Sequence, residues 1–523
     1  MKSSSLCVLG LLLSAPALPA QAVHDEHGGA AAVGRVGFET SCSAAAAALV
    51  EEAVAKLHSF WYEEAERAFG EAAVADPGCA MAHWGVAMSL YHPLWEPPDS
   101  AALARGRQAA ERAARIGGGT ERERAYVAAV NAFYRDADRL DHRTRAAAYE
   151  AAMADLHAAF PEDREATVFY ALAVRVNAPP SDKTYARQRA AAELLDRVSR
   201  EQPDHPGVVH YLIHSYDYPA LAALGLDAAR RYARIAPAVP HALHMPSHIF
   251  IRLGLWREAI DSNLATAAAA REIEARDGSP IARYERLHAL DYLAYAYLQL
   301  GDEAAAARVL ADVAAVTEAP SVMQSAYALA AVPARYALER GDWRAAAALR
   351  VAPADFPWDR YRAAEAMTVF ARALGAARSG DVASARNALA RLEALRDGLR
   401  AAGDDYWDGQ VEIQRLAAEA WIRQAEGRDA EARDLMRAAA DLEDSTEKHP
   451  VTPGPVRPAR ELLGELLLEQ GRPAEALPEF EAVLANAPGR RNARLGASLA
   501  AERAGVEGGR ERAAAALPAG SPR

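Results

Sequence analysis

Cysteine is scarce in this 523-residue sequence, with one residue at each of positions 7, 42 and 79. Aromatic residues make up only 7% of the chain and β-branched residues are sparse, which argues against a sheet-built fold. Basic residues are too few to balance the acidic ones, leaving a net charge of −12. That removes nucleic acid as an expected partner, because phosphate binding needs a basic face. Beyond the first residues, no apolar run is long enough to cross a bilayer. The chain also lacks a phosphate-cradling glycine loop, a zincin helix motif, a Gly-x-Ser-x-Gly elbow and a Cys–His nucleophile arrangement. Alanine is plentiful, and it costs least to place in a helix.

The first residues combine a positive start at Lys2, an apolar run from Leu6 to Leu13 and the small-x-small site Ala20-Gln21-Ala22. This is the pattern of a secretory signal peptide over residues 1–22, and its apolar run is too short to span a membrane. The expected location is therefore periplasmic or secreted, with no membrane span after cleavage. Cys7 leaves with the signal. The remaining pair, Cys42 and Cys79, is expected to form a disulfide in an oxidising compartment. Residues 23–37, containing His24-Asp25-Glu26-His27-Gly28-Gly29, lack periodicity and read as a disordered lead-in.

From Ser43 onward apolar and alanine positions recur every three or four residues, broken by Pro, Gly and Asp. These are the marks of successive helices. The clearest repeat runs through Leu463-Gly464, Leu467, Ala476, Phe480 and Pro488. Fainter copies pair Trp256 with Ala259, Gly301 with Ala306, Trp343 with Ala346, Gly380 with Ala385, and Gly427 with Ala432. The spacing resembles the tetratricopeptide repeat (TPR) family, in which two helices cross at a small residue and stacked hairpins form a superhelix. The resemblance implies an all-α fold, an α-solenoid of about 10–12 TPR-like hairpins. They divide into degenerate repeats over 38–205, a histidine-rich block over 206–315 and C-terminal repeats over 316–523. It also implies a concave groove, lined by the first helix of each hairpin, that takes a protein, peptide or small ligand. Because each repeat contacts only its neighbours, unfolding is expected to be broad or stepwise.

Seven of the fifteen histidines lie between His205 and His288. His210 and His214 stand four apart, as do His244 and His248, while His241 precedes His244 by three and His288 precedes Asp291 by three. Each set shares one face of one helix. In the register of the resembled repeat these positions face the groove, and Asp217 lies one turn beyond His214. Imidazole pairs at this spacing chelate transition ions. The expected single site is His210, His214, His244 and His248. His241, His288, Asp291 and Asp217 are then further ligands, supporting hydrogen-bond partners, or ligands to a second ion. Such a donor set suits a divalent zinc, copper, iron or nickel ion, and spacing does not choose among them.

Other polar residues carry weaker expectations. His83 and His92 belong to an aromatic and proline-rich loop near the cysteine pair, while Glu461, Glu465 and Arg335 read as solvated groove charges. Residues 448–455 read as a loop whose prolines stop one helix and start the next. Three functions fit the sequence: an exported TPR-like binding protein holding a transition metal, an enzyme using that metal, or a metal-free interaction scaffold.

Overall fold

The computed structural model describes residues 32–94 and 97–506, and helices follow one another with no strand among those residues. The signal-peptide reading of 1–22, with Cys7, and the lead-in as far as residue 31 lie outside the described residues, as do Trp95 and residues 507–523. From residue 32 the lead-in is not disordered. Val33 and Val36 are buried, and Phe38 stacks on Trp84 at 5.1 Å between centroids. Gly34, at φ +89°, lies so close to the Pro206 ring that a Cβ would come within 2.9 Å of it. Apolar residues at 33, 36 and 38 find a slot on the first repeats, which outweighs the polar composition upstream.

The described helices pair in order into hairpins, from Ala44–His58 with Tyr62–Ala75 to Ala459–Glu469 with Pro473–Asn486, ending in the single helix Arg491–Arg503. The architecture is an all-α solenoid. A local rule sets its register: Gly254, Gly301, Gly341, Gly380, Gly427 and Gly471 all adopt positive φ. A side chain would be strained at all six, even at Gly380, Gly427 and Gly471 where no atom lies within 4 Å, and glycine ends the first helix of the hairpin there. Five residues later Ala259, Ala306, Ala346, Ala385, Ala432 and Ala476 are each 0% exposed, at the position where the second helix crosses the first. No described helix is long and apolar enough to cross a membrane.

Cys42 and Cys79 are joined by a disulfide that spans 37 positions and ties the approach to the first helix to the start of the Ala80–Ser89 helix. Closing a loop of that length removes about 4 kcal/mol of denatured-chain entropy in the chain-entropy model. Replacing both cysteines by serine is expected to lower unfolding stability by a few kcal/mol. Urea titration of the oxidised protein and the variant checks this, and equal midpoints contradict it.

The superhelix closes on itself, which a repeat in contact with its neighbours alone does not predict. The segment 446–458, a run of turns and bends with no helix, packs as a strap against helices of distant repeats. Four of its residues are prolines, at 450, 453, 455 and 458, which cannot donate backbone hydrogen bonds and keep it out of a helix. Its carbonyls are taken up by side chains from distant repeats. Arg335 donates to Gly454 O (3.1 Å) and Pro455 O (2.9 Å), Tyr406 to Glu447 O (2.9 Å), and Tyr292 to Pro450 O (3.3 Å). Arg335 and Glu461 are each 0% exposed, so the expectation of solvated groove charges fails for both. Glu465, beside them, pairs with Arg378 and Arg457.

At the end of the strap the carboxylate of Glu443 accepts the Ala459 N–H at 2.9 Å. Burial pushes the Glu443 carboxyl up to about 8. Its folded pKa lies above the unfolded value, so between about pH 4.5 and 8 the native state binds the extra proton and stability falls as pH rises. Glu443→Gln keeps the acceptor and is expected to flatten that slope. Melting temperatures of both proteins between pH 5 and 8.5 check it, and parallel curves contradict it.

Candidate metal centre

Three successive inner helices carry the histidines. Pro206–Tyr216 holds His210 and His214; a broken helix of Pro240–His244 and Pro246–Arg252 holds His241, His244 and His248; Pro280–Leu300 holds His288 and Asp291. Each of the three begins with proline at its first position, where the missing N–H costs nothing. Pro246 lies between His244 and His248, while Met245 before it keeps helical φ/ψ, so the two histidines still share one face at four-residue spacing. Gly207 lets the Pro206–Tyr216 helix approach closely, since a Cβ there would meet the His58 ring at 2.6 Å.

None of these side chains faces an open groove. His210, His244 and His248 are 0% exposed and His214, His241 and His288 are at most 3%. The expectation of ligand-exposed inner positions is corrected by closure of the superhelix, which brings Phe60 over one side and the 446–458 strap over the other.

The six imidazoles form two triads, His210 with His214 and His241, and His244 with His248 and His288. This splits the four-histidine set expected to share one ion. In the first triad His210 Nε2 lies 3.1 Å from His214 Nε2 and 3.2 Å from His241 Nε2. His210 Nδ1 donates to the carbonyl of His58 at 2.7 Å, so its Nε2 presents only a lone pair. For comparison, a tetrahedral ion with bonds of ~2.0–2.1 Å holds its ligand nitrogens roughly 3.3 Å apart.

The second triad is more fully constrained. Asn263 donates to Ala259 O at 2.7 Å, which turns its Oδ1 towards His244 Nδ1, 2.7 Å away. His248 Nδ1 donates to the Asp217 carboxylate at 2.9 Å. Both Nδ1 protons are thus committed, and two Nε2 lone pairs face each other at 3.1 Å. Buried nitrogens so arranged repel unless a cation sits between them. A proton is a poor candidate, because burial lowers every one of the six. His210 and His288 fall to about 3, and His214, His241 and His244 lie well below their ordinary value. The Tyr292 hydroxyl, 3.3 Å from His248 Nε2, borders the pair.

Asp217 supports the second triad and belongs to neither. Burial alone would raise its carboxyl, but Lys448 at 2.8 Å and Arg252 at 2.8 Å, with His248, hold it well below the carboxylate range. Asp291 is not brought to the imidazoles as a ligand. It turns instead to Arg335, 3.5 Å away, and burial raises it to about 6 against that guanidinium.

A third buried group, His58, Glu165 and His205, was not legible in the sequence. Val208 N–H donates to His205 Nδ1 at 3.3 Å, so His205 Nε2–H points at Glu165, 2.9 Å away. His58 Nε2 lies 2.8 Å from the other oxygen, and the Tyr211 hydroxyl is 2.9 Å from His58 Nδ1. Every ring nitrogen here has a protein partner. The group acts as a brace holding the His58 carbonyl under His210. Asn263, Lys448 and Phe60 were likewise missed, since nothing near them in sequence marks them.

A cavity of ≈ 90 Å³ reaches both triads, lined by Phe60, His92, His241, Tyr284, Glu285 and His288 among others. His92, at φ +49°, stacks on Tyr62 at 4.5 Å. Phe60, at φ +55°, holds its ring 4.4 Å from that of His210. A bulky residue in this region of backbone space is strained and persists only where its surroundings fix it. Glu285 approaches His241 Nδ1 to 3.9 Å.

No family model matches the chain, and no curated protein matches it. Solved helical-repeat structures do. A chain of the Naa15/Naa10 structure bound to HypK-THB is 14% identical, with a TM-score of 0.22 over 90% of this chain. This chain covers 62% of that one. The P58(IPK) TPR domain is 12% identical with a TM-score of 0.21, over 88% of this chain and 99% of that one. A chain of the APC/C hetero-tetramer Cut9–Hcn1 is 11% identical with a TM-score of 0.27, over 91% and 96%. The solenoid architecture rests on this chain's own helices and not on those superpositions.

Proposed function

We propose that this protein binds transition-metal ions at its two histidine triads, one ion to each, as an exported helical-repeat protein. The observation that carries the reading is the facing of His244 Nε2 and His248 Nε2 at 3.1 Å while both Nδ1 atoms are held as donors by Asn263 and Asp217. A bound ion offsets the repulsion and satisfies both lone pairs, and the outer partners fix ring orientation as they do in known metal sites. The first triad repeats the pattern with the His58 carbonyl in the outer role. Export is supported by the signal-like residues 1–22 and the Cys42–Cys79 bond.

A peptide-binding groove at the same place is disfavoured because the strap and Phe60 already fill it. The test is elemental analysis of protein from its exported compartment, followed by calorimetric titration of the metal-stripped chain with zinc and copper. Two equivalents of a transition metal per chain are expected. Weak uptake that is equal in the wild type and in a variant lacking His244 and His248 would overturn the reading.

A further inference from the structure

Resting on that reading, we infer that the two triads form one dinuclear copper centre that binds dioxygen between its ions and reduces it to peroxide. The argument begins with ligand charge. Among the described residues both ligand groups consist of neutral imidazole alone, with no carboxylate among the converging atoms. The cost of burying an ion rises with the square of its charge. Fully buried triads with neutral ligands therefore favour a singly charged ion over a doubly charged one. Lys448 and Arg252 stand beside the second triad and are already paired with Asp217, which adds to the penalty on a second positive charge. Of the metals that imidazole suits, copper is the one with a stable singly charged state, and that state is satisfied by three nitrogen donors.

The second step is proximity. His214 and His248, from different triads, have ring centroids 6.0 Å apart, and His241 and His244 have theirs 6.2 Å apart. His241 and His244 also sit one turn apart on a single helix, so the two groups share a rigid wall. Ions held inside such neighbouring triads are near enough for one small molecule to bridge them, as in two-metal sites generally. The third step is access. The ≈ 90 Å³ cavity touches one ligand of each triad, His241 and His288, and has room for a diatomic molecule.

The redox balance closes within the site. Each Cu(I) gives one electron and becomes Cu(II). The two electrons break the O–O π bond and leave the single bond of peroxide bridging the ions, with no proton and no outside reductant required.

The experiment loads metal-stripped full-length protein with two equivalents of Cu(I) without oxygen, then admits air. Uptake of one dioxygen per two copper ions is expected, giving Cu(II) that is silent in electron paramagnetic resonance until the protein is denatured. The variant carrying His244→Ala and His248→Ala is expected to keep one copper and lose all the dioxygen uptake, where independent sites would lose half. Two bound coppers that are fully visible by resonance, or that take up no dioxygen, overturn the dinuclear inference and leave the metal-binding reading standing. Failure to hold copper, with two equivalents of zinc bound instead, overturns the inference alone. Failure to hold any metal overturns both.

Discussion

Replacing His244 and His248 together by alanine is expected to remove one of two bound ions from each chain, and replacing His210 and His214 to remove the other. In each case two of three converging nitrogens go. Loss of an outer hydrogen-bond partner alone costs roughly 10–100-fold in metal affinity, so loss of two ligands should exceed about a hundredfold at the affected triad. Asp217→Asn tests the outer position separately, because it weakens the acceptor for His248 Nδ1 and should cost about 10–100-fold at the second triad. His157→Ala is the control, since His157 is partly exposed and contacts Thr167 and Arg197 away from both triads. Metal counts by elemental analysis of each dialysed variant give the answer. Equal counts in all of them are incompatible with two separate triads.

Arg490→Ala is expected to destabilise the protein by about 3–5 kcal/mol, the usual cost of breaking a buried ion pair from one side. Arg490 is 1% exposed. It reaches Glu461 at 2.6 Å, Glu339 at 2.5 Å and the Tyr295 hydroxyl at 3.4 Å. Its neighbours complete the junction: Arg491 N–H donates to Gln299 at 2.9 Å, and Asn492 donates to Glu339 O at 2.9 Å. The Pro488 carbonyl packs onto Gly254 so closely that a Cβ there would lie 2.3 Å away. The last repeat is thus locked to the turns of three central ones. Wild type should therefore unfold with more cooperativity than a simple stack, contrary to the stepwise behaviour expected from nearest-neighbour contacts. The variant should show a separate early transition. Denaturant titration followed by circular dichroism distinguishes the two, and a change under about 1 kcal/mol with one transition in both contradicts the prediction.

The parts of this fold written locally were legible in the sequence. The glycine-to-alanine spacing of the hairpins and the four-residue spacing of His210–His214 and His244–His248 each depend on a few adjacent residues. The sorting of six histidines into two triads was not, because it depends on how three neighbouring helices are set against one another. Asp291 has the right register and yet turns to Arg335, a partner on another helix. Burial of the centre was also hidden. It depends on contacts such as Lys448 with Asp217, which lie 231 residues apart, and on the His58–Glu165 brace across 107 residues. No pattern within a single helix signals either.

The position of the strap along the chain has a consequence for biosynthesis. All six imidazoles are made by residue 288, whereas residues 446–458, which border the second triad through Lys448 and Pro450, come about 160 residues later. During synthesis the nascent chain therefore passes through an interval in which these imidazoles exist and the strap does not. Under the metal-binding function proposed above, that interval would be the natural time for loading. The order of residues along the polypeptide would then set a schedule for a bound ion: acquire first, cover afterwards.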